Sequence, residues 1–252
     1  MITGLYISAG GMVSTELRHS VYANNIANSA TVAYKSQVPV QLGFYPLLRA
    51  SAGKFKIAIP NSAPGGGVKV VETYPDWTLG PIRKTDNPLD LAIQGPGFLV
   101  VQTPKGERYT KAGNLTRDSE GYLSTSQGYR VLGDNNQPIL VQGTNVNIAT
   151  DGNVTVDGVN VGRIQCVGFA HPERLLREGE NLYYASEDIV GEKTPSVDSK
   201  IMQGYLEWSN IKLPYEMIKM TLGLRSYEAN QRVLVTFDES LGRLIDQVGL
   251  AG

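Results

Sequence analysis

The sequence has a single cysteine, Cys166, so no intrachain disulfide can form. Its flanks, "RIQCVGFA", alternate as a strand does, which reads as a buried, inert thiol rather than a nucleophile. Histidine is almost as scarce: His19 and His171 lie far apart, which leaves very little from which to build a His-based metal site or a catalytic triad. Neither sign of charge prevails, with 23 basic against 24 acidic side chains over 252 residues. That balance removes any electrostatic reason to expect nucleic acid or an anionic membrane as partner, and gives little protection against self-association. No run approaches the roughly 20 apolar residues of a membrane span, so no membrane insertion is expected. The N-terminal "MITGLYISAGGMVSTELRHS" has neither a basic n-region nor a continuous apolar core. It is therefore not expected to be a cleaved secretory signal, and passage out of the cytoplasm would need a route that reads none.

Proline is absent with a pattern. Residues 4 to 29 contain none, and there Leu5, Ala9, Met12, Tyr22 or Ala23, and Ile26 recur at spacings of three and four, as one face of a helix does. Glu16 and His19 interrupt that stripe, and Gly10 and Gly11 weaken the helix. After Pro214 the chain is again free of proline to Val248. A heptad ladder falls on Met217, Met220, Leu224, Tyr227, Gln231, Leu234, Asp238, Leu241, Ile245 and Val248, a coiled-coil-like seam on a helix about 50 Å long. The same periodicity also suits an amphipathic helix lying on its own domain's core, because a stripe does not say whose surface covers it.

Between the two helices the sequence turns to β structure. "NPLDLAIQGPGFLVVQT" reads as strand, Gly-Pro-Gly turn, strand, and "NLTRDSEGYLST" as a hairpin around Asp118 to Gly121. "GYRVLGDNNQPILVQG", "VNIATDGNVTVDGVNVG" and "GRIQCVGFA" add short strands, and turn signals at such spacing suit an all-β sandwich or barrel. Pro60 to Val70, "PNSAPGGGVKV", is loop or linker by composition. The fold class is mainly β with long terminal helices: residues 1–35 the N-terminal helix and its exit turn, 36–72 an extended linker, 73–210 a central all-β domain, and 211–252 the C-terminal helix. Neither helix can bury a long stripe alone, which leaves room for termini that order on assembly.

Enzymatic motifs do not emerge. "GPGFLVV" and "PGGGVKV" match no phosphate loop and read as turns. Asp86, Asp90, Asp118, Glu120, Asp151 and Asp157 show no acid and base spacing, and β-turn roles account for most of them. "DGNVTVDG" lacks the twelfth acidic ligand of a calcium loop, and "NLT" and "NVT" are triplets common by chance. No cofactor and no metal are expected. What does stand out is a pair of amide clusters on helical segments: Asn24, Asn25 and Asn28 in "ANNIANSATVAYK", and Asn230 and Gln231 in "SYEANQR". Asparagine is a poor helix former, and most helical amides face water, but buried on a seam they fix register and partner choice. Ala23, Ala27 and Ala229 beside them permit close approach.

"GLYISAGGM" and "ANNIANSATVAYK" resemble the N-terminal signature of the bacterial flagellar rod and hook axial proteins, and "NPLDLAIQGPGFLVV", "YTKAGNLTRDSEGYLSTSQGYRVLG", "QGYLEWSNI" and "EMIKMTLGLRSYEANQRVL" resemble later blocks of the same family, in order and from end to end. Length and middle blocks look like the basal-body rod proteins. The resemblance implies a structural subunit and not an enzyme, exported unfolded by the flagellar type III apparatus and polymerising helically in the rod as part of a drive shaft across the periplasm. Partners implied are copies of itself, other rod and hook proteins, and the P/L-ring bushing. The terminal helices would pair as an inner coiled-coil-like layer around a channel, with the β domain outside. Leu5, Met12, Asn24, Asn25, Ile26, Asn28 and Tyr34 are then expected at subunit interfaces, together with Asn230 and the ladder residues apart from Asp238. Three positions depart from the family. Ala33 replaces a usual glycine before Tyr34, which costs energy if φ must be positive there. Leu115 stands where an aromatic is common, and Lys212-Leu213-Pro214 follows Ile211 where an acidic residue is usual, which looks more like the proximal than the distal rod. The alternatives are a distal rod or short hook-like subunit and, from other classes, a β-rich hydrolase or a monomeric binding module.

Overall fold

The computed structural model describes residues 2–43, 68–179, 181–186, 189, 191, 193–196 and 199–249. Most of Pro60 to Val70, and the side chains of Leu5 and Val248, lie outside them. The chain divides into two compact units: a helical unit of Met1–Ala27, Gln37–Pro75 and Lys212–Gly252, and a β unit of Asn28–Ser36 and Asp76–Ile211.

The described residues of the helical unit include α1 (Ile2–Ala27), α2 (Leu213–Gly249) and an antiparallel strand pair, Gln37–Gly43 with Val68–Pro75. Pro214 falls in the first turn of α2, where its missing N–H would have no partner anyway. Glu216 adds a negative charge to the positive end of the same helix. The two helices pack on each other.

In the β unit all pairings are antiparallel. The largest sheet runs Leu176–Gly179, Leu182–Tyr184, Gly106–Thr110, Phe98–Thr103, Arg130–Val131, Leu123–Thr125, Leu115–Arg117, with Cys166–Gly168 also pairing on Phe98–Thr103 and Thr194–Pro195 on Cys166–Gly168. A meander of Val146–Ile148, Asn153–Val156 and Val159–Arg163 and two strand pairs, Leu91–Gln94 with Lys200–Gln203 and Ile82–Lys84 with Tyr205–Glu207, complete it. The hairpin expected around Asp118 to Gly121 is present, as Leu115–Arg117 paired with Leu123–Thr125.

Phe98–Thr103 explains why a hydrophobic run here is a strand with two buried faces. Phe98 and Val100 enter one apolar cluster with Tyr109, Phe169 and Tyr183; Leu99 and Val101 enter the other with Leu91, Leu123 and Ile164. Alternate residues point to opposite faces, and here both faces are covered. Leu115, in place of an aromatic, fills the second cluster at 1% exposure.

Candidate assembly surface

The contact of α1 with α2 is built on small residues. A Cβ on Gly4 would lie 3.0 Å from the Phe237 ring, one on Gly11 3.0 Å from the Asn230 amide, and one on Gly223 3.8 Å from the Thr15 methyl. Asn25 meets Glu216 by a hydrogen bond of 3.0 Å. From Gly4 to Gly11 is seven residues, from Phe237 back to Asn230 is seven, and a further fourteen lead to Asn25 and Glu216. The glycines that cost helix propensity are thus sites of close approach, each admitting a larger side chain from the other helix.

The two rungs of the ladder lie differently on α2. Met220, Tyr227, Leu234 and Leu241 are partly buried, as are Asn230 and Phe237; Glu216 and Gly223 are buried. The other expected rung points outward: Met217 is 54% exposed, Leu224 47% and Ile245 70%, and Gln231 is exposed too. Ile218, Leu222, Val233 and Val235, which the ladder does not include, are exposed as well. On α1, Ile7, Val13 and Leu17 are exposed while Met12 and Ile26 are partly buried. The helical unit therefore has an inner seam and, outside it, uncovered apolar side chains.

The asparagines of the N-terminal cluster divide. Asn25, 1% exposed, donates from Nδ2 to the Gln37 carbonyl and to Glu216 Oε2, and its Oδ1 accepts from the Gln37 N–H at 2.9 Å. Asn24 is exposed, and Asn28 Oδ1 accepts the Thr31 hydroxyl at 3.2 Å.

Within the β unit, the segment after α1 is held by polar contacts that the sequence reading did not single out. Ala33 sits at φ 53° with its N–H donating to the Glu207 carbonyl at 2.8 Å. Tyr34 is fully buried, with the Arg177 guanidinium 4.4 Å above its ring. Lys35 Nζ pairs with Glu207 Oε1 at 2.6 Å and donates to the Thr78 carbonyl; the same carboxylate oxygen accepts the Gly80 N–H. Asn210 accepts the Ser36 N–H and donates to the Asp76 and Thr78 carbonyls. Nothing in sequence links Lys35 to a carboxylate 172 residues away; the one signal was its place after the buried Tyr34.

Lys111 is a second buried cation in this unit. Its ammonium donates to the Gly95 carbonyl at 2.8 Å and lies 5.1 Å from the Phe98 ring, and burial, with Lys35 nearby, lowers its pKa to about 8. Burial likewise pushes the Tyr183 hydroxyl up to about 12 and raises the Cys166 thiol. The carboxylates do turn work: Asp118 caps the Glu120 and Tyr122 amides, Asp151 that of Asn153, and Asp157 those of Thr144 and Asn145.

Long terminal helices joined through glycine-lined contacts, outward apolar side chains and a β unit with two packed cores define a structural assembly subunit. Residues 92–156 match the family described as the flagellar hook protein FlgE/F/G D1 domain, and residues 202–247 match the flagellar basal body rod FlgEFG protein C-terminal family. The flagellar basal-body rod protein FlgG of Buchnera aphidicola subsp. Schizaphis graminum is 32% identical over 259 residues, covering 97% of this chain and 99% of that protein. The FlgG of Caulobacter vibrioides is 34% identical over 94% of this chain and 96% of its own length, and the FlgF of the same organism 30% identical over 99% of both. The chain belongs to the flagellar basal-body rod protein family, as a structural subunit of the rod in bacterial motility.

Proposed function

We propose that this subunit polymerises helically through the outward faces of α1 and α2, and that the polymer transmits torque as a drive shaft. The observation that carries this is the apolar side chains left uncovered on α2 outside its inner seam, with Ile218 56%, Leu222 57% and Val235 51% exposed. Apolar area of that kind on a soluble helix marks an interaction surface. A contact joining different patches of the same chain, repeated with a rotation that does not close, adds copies without limit along a helix.

In the polymer, α1 and α2 form an inner, coiled-coil-like layer around a channel, with the β domain outside. Exposed Asn24 and Gln231 lie beside the apolar contacts, where a misregistered neighbour would strand an amide at about 1–3 kcal/mol. Other partners are rod and hook axial proteins, the type III export apparatus, which would take the chain without a cleaved signal, and the P/L-ring bushing around a periplasmic rod. The subunit does no catalysis. Lys212-Leu213-Pro214 support the proximal segment of the rod. Leu222→Asp tests the reading: the side chain is exposed, so the β domain should still fold while rods fail to assemble. Normal rod assembly by this variant would contradict it.

A further inference from the structure

The β unit carries a socket with a cation that no carboxylate contacts among the described residues and, elsewhere, an exposed turn of the opposite charge. The socket is a cavity of about 410 Å³ lined by Trp77, Leu79, Pro96, Phe98, Lys111 and Pro172. Its walls are apolar or aromatic, and Lys111, only 3% exposed, is the charged residue among them. Lys35 is neutralised by Glu207, but Lys111 contacts only a carbonyl and a ring among the described residues. A buried ammonium without a carboxylate is costly, and an anion brought into the cavity would relieve that cost. The Trp77 indole N–H is also buried with no acceptor.

The exposed element is the two-residue turn between Asn153–Val156 and Val159–Arg163. Asp157 at φ 49° and Gly158 at φ 86° give it the backbone of a tight hairpin. The Asp157 carboxylate fixes the turn by accepting the Thr144 and Asn145 amides, and has further acceptor sites. Val159 follows at 66% exposure, the most exposed large apolar side chain among the described residues of the β unit. An exposed turn presenting a carboxylate beside an aliphatic side chain matches an apolar socket with a cation in its lining, in chemistry and in sign.

We propose that this cavity receives the Asp157-Gly158-Val159 turn of a second copy of the chain. The inference rests on the helical-polymer reading, and adds to it a contact between β domains. Tip and socket are different patches, so the contact is heterologous, the type that builds an open helix when the rotation between copies does not close. The bound tip sets its carboxylate toward Lys111 and its valine against Trp77, Leu79 and Pro96.

The test places a photo-crosslinking benzoylphenylalanine at position 159 of the full chain in flagellated cells, with irradiation followed by peptide mapping. Crosslinks are expected in Trp77–Pro81, Gly95–Phe98 or around Pro172 of a second copy, and Lys111→Met should lower their yield about tenfold. Lys111→Met should also unfold at no lower temperature than the parent chain, which separates a lost contact from a lost fold. Whether the chain sediments with isolated rods is scored independently. Rods that contain the chain while residue 159 crosslinks elsewhere, or not at all, overturn this contact and leave the polymer standing. A chain absent from rods and free of the crosslink overturns both.

Discussion

Asn25 and Glu216, 191 residues apart in sequence, meet through a buried 3.0 Å hydrogen bond from Nδ2 to Oε2. The Asn25 amide also pairs with both backbone groups of Gln37, so three polar groups depend on it. Asn25→Ala should therefore destabilise the helical unit by about 1–3 kcal/mol for each group left unsatisfied. Denaturant unfolding followed by far-UV circular dichroism measures this, and a change below about 0.5 kcal/mol would show that the amide is not holding the unit together.

The Lys35–Glu207 pair is buried to within 1% exposure on both sides. Lys35→Met or Glu207→Gln alone strands a buried partner, at about 3–5 kcal/mol for removing one member of such a pair. The double substitution Lys35→Met with Glu207→Leu removes both charges together, and what remains is the loss at Thr78 and Gly80. It should be less destabilising than Lys35→Met alone. A double variant as unstable as the sum of the singles would contradict a coupled pair.

Ala33 lies in the left-handed region at φ 53°, so the departure from glycine is a strained one. Ala33→Gly should leave stability unchanged or raise it by about 1 kcal/mol, relief of strain being partly offset by a freer unfolded chain and a lost buried methyl. Ala33→Val should lose about 2 kcal/mol or more, since a β-branched residue tolerates that backbone least. Thermal unfolding of the two variants side by side checks the order; valine equal to glycine would contradict it.

Lys111 gives a pH dependence of defined sign. Burial lowers its folded-state pKa to about 8, below that of an unfolded lysine. Between those values the unfolded chain binds more protons, so this group's contribution makes stability rise with pH; below about 8 the full penalty of the buried ammonium is present. Lys111→Met removes the penalty, of order 3 kcal/mol. The stability advantage of Lys111→Met over the parent should be greatest near neutrality and shrink as pH is raised past 8. An advantage independent of pH would mean that the ammonium is not the cause.

The helices and hairpins were legible because their signals are local. The proline-free run after Pro214 is a helix from Leu213 to Gly249, and Asp-Gly at 157 and 158 makes a tight turn. Which residues of α2 meet α1 was not legible in full. Apolar residues at Met217, Leu224 and Ile245 outscore Gly223 and Asn230 in any hydrophobic count, yet it is the glycines and the amide that face the other helix. Close approach between backbones favours small residues, which carry no hydrophobic signal. Lys35, Lys111 and Glu207 were not legible because lysine and glutamate are rarely buried, and because their partners are set by long-range pairing.

The central claim is that neighbouring subunits cover the outward faces of the two helices. A cryo-EM reconstruction of intact basal bodies, with this chain traced, measures it directly. The account predicts Ile218, Leu222 and Val235 packed against helices of adjacent copies or other axial proteins. Those side chains facing solvent in the assembled rod, with contacts made elsewhere, would contradict it.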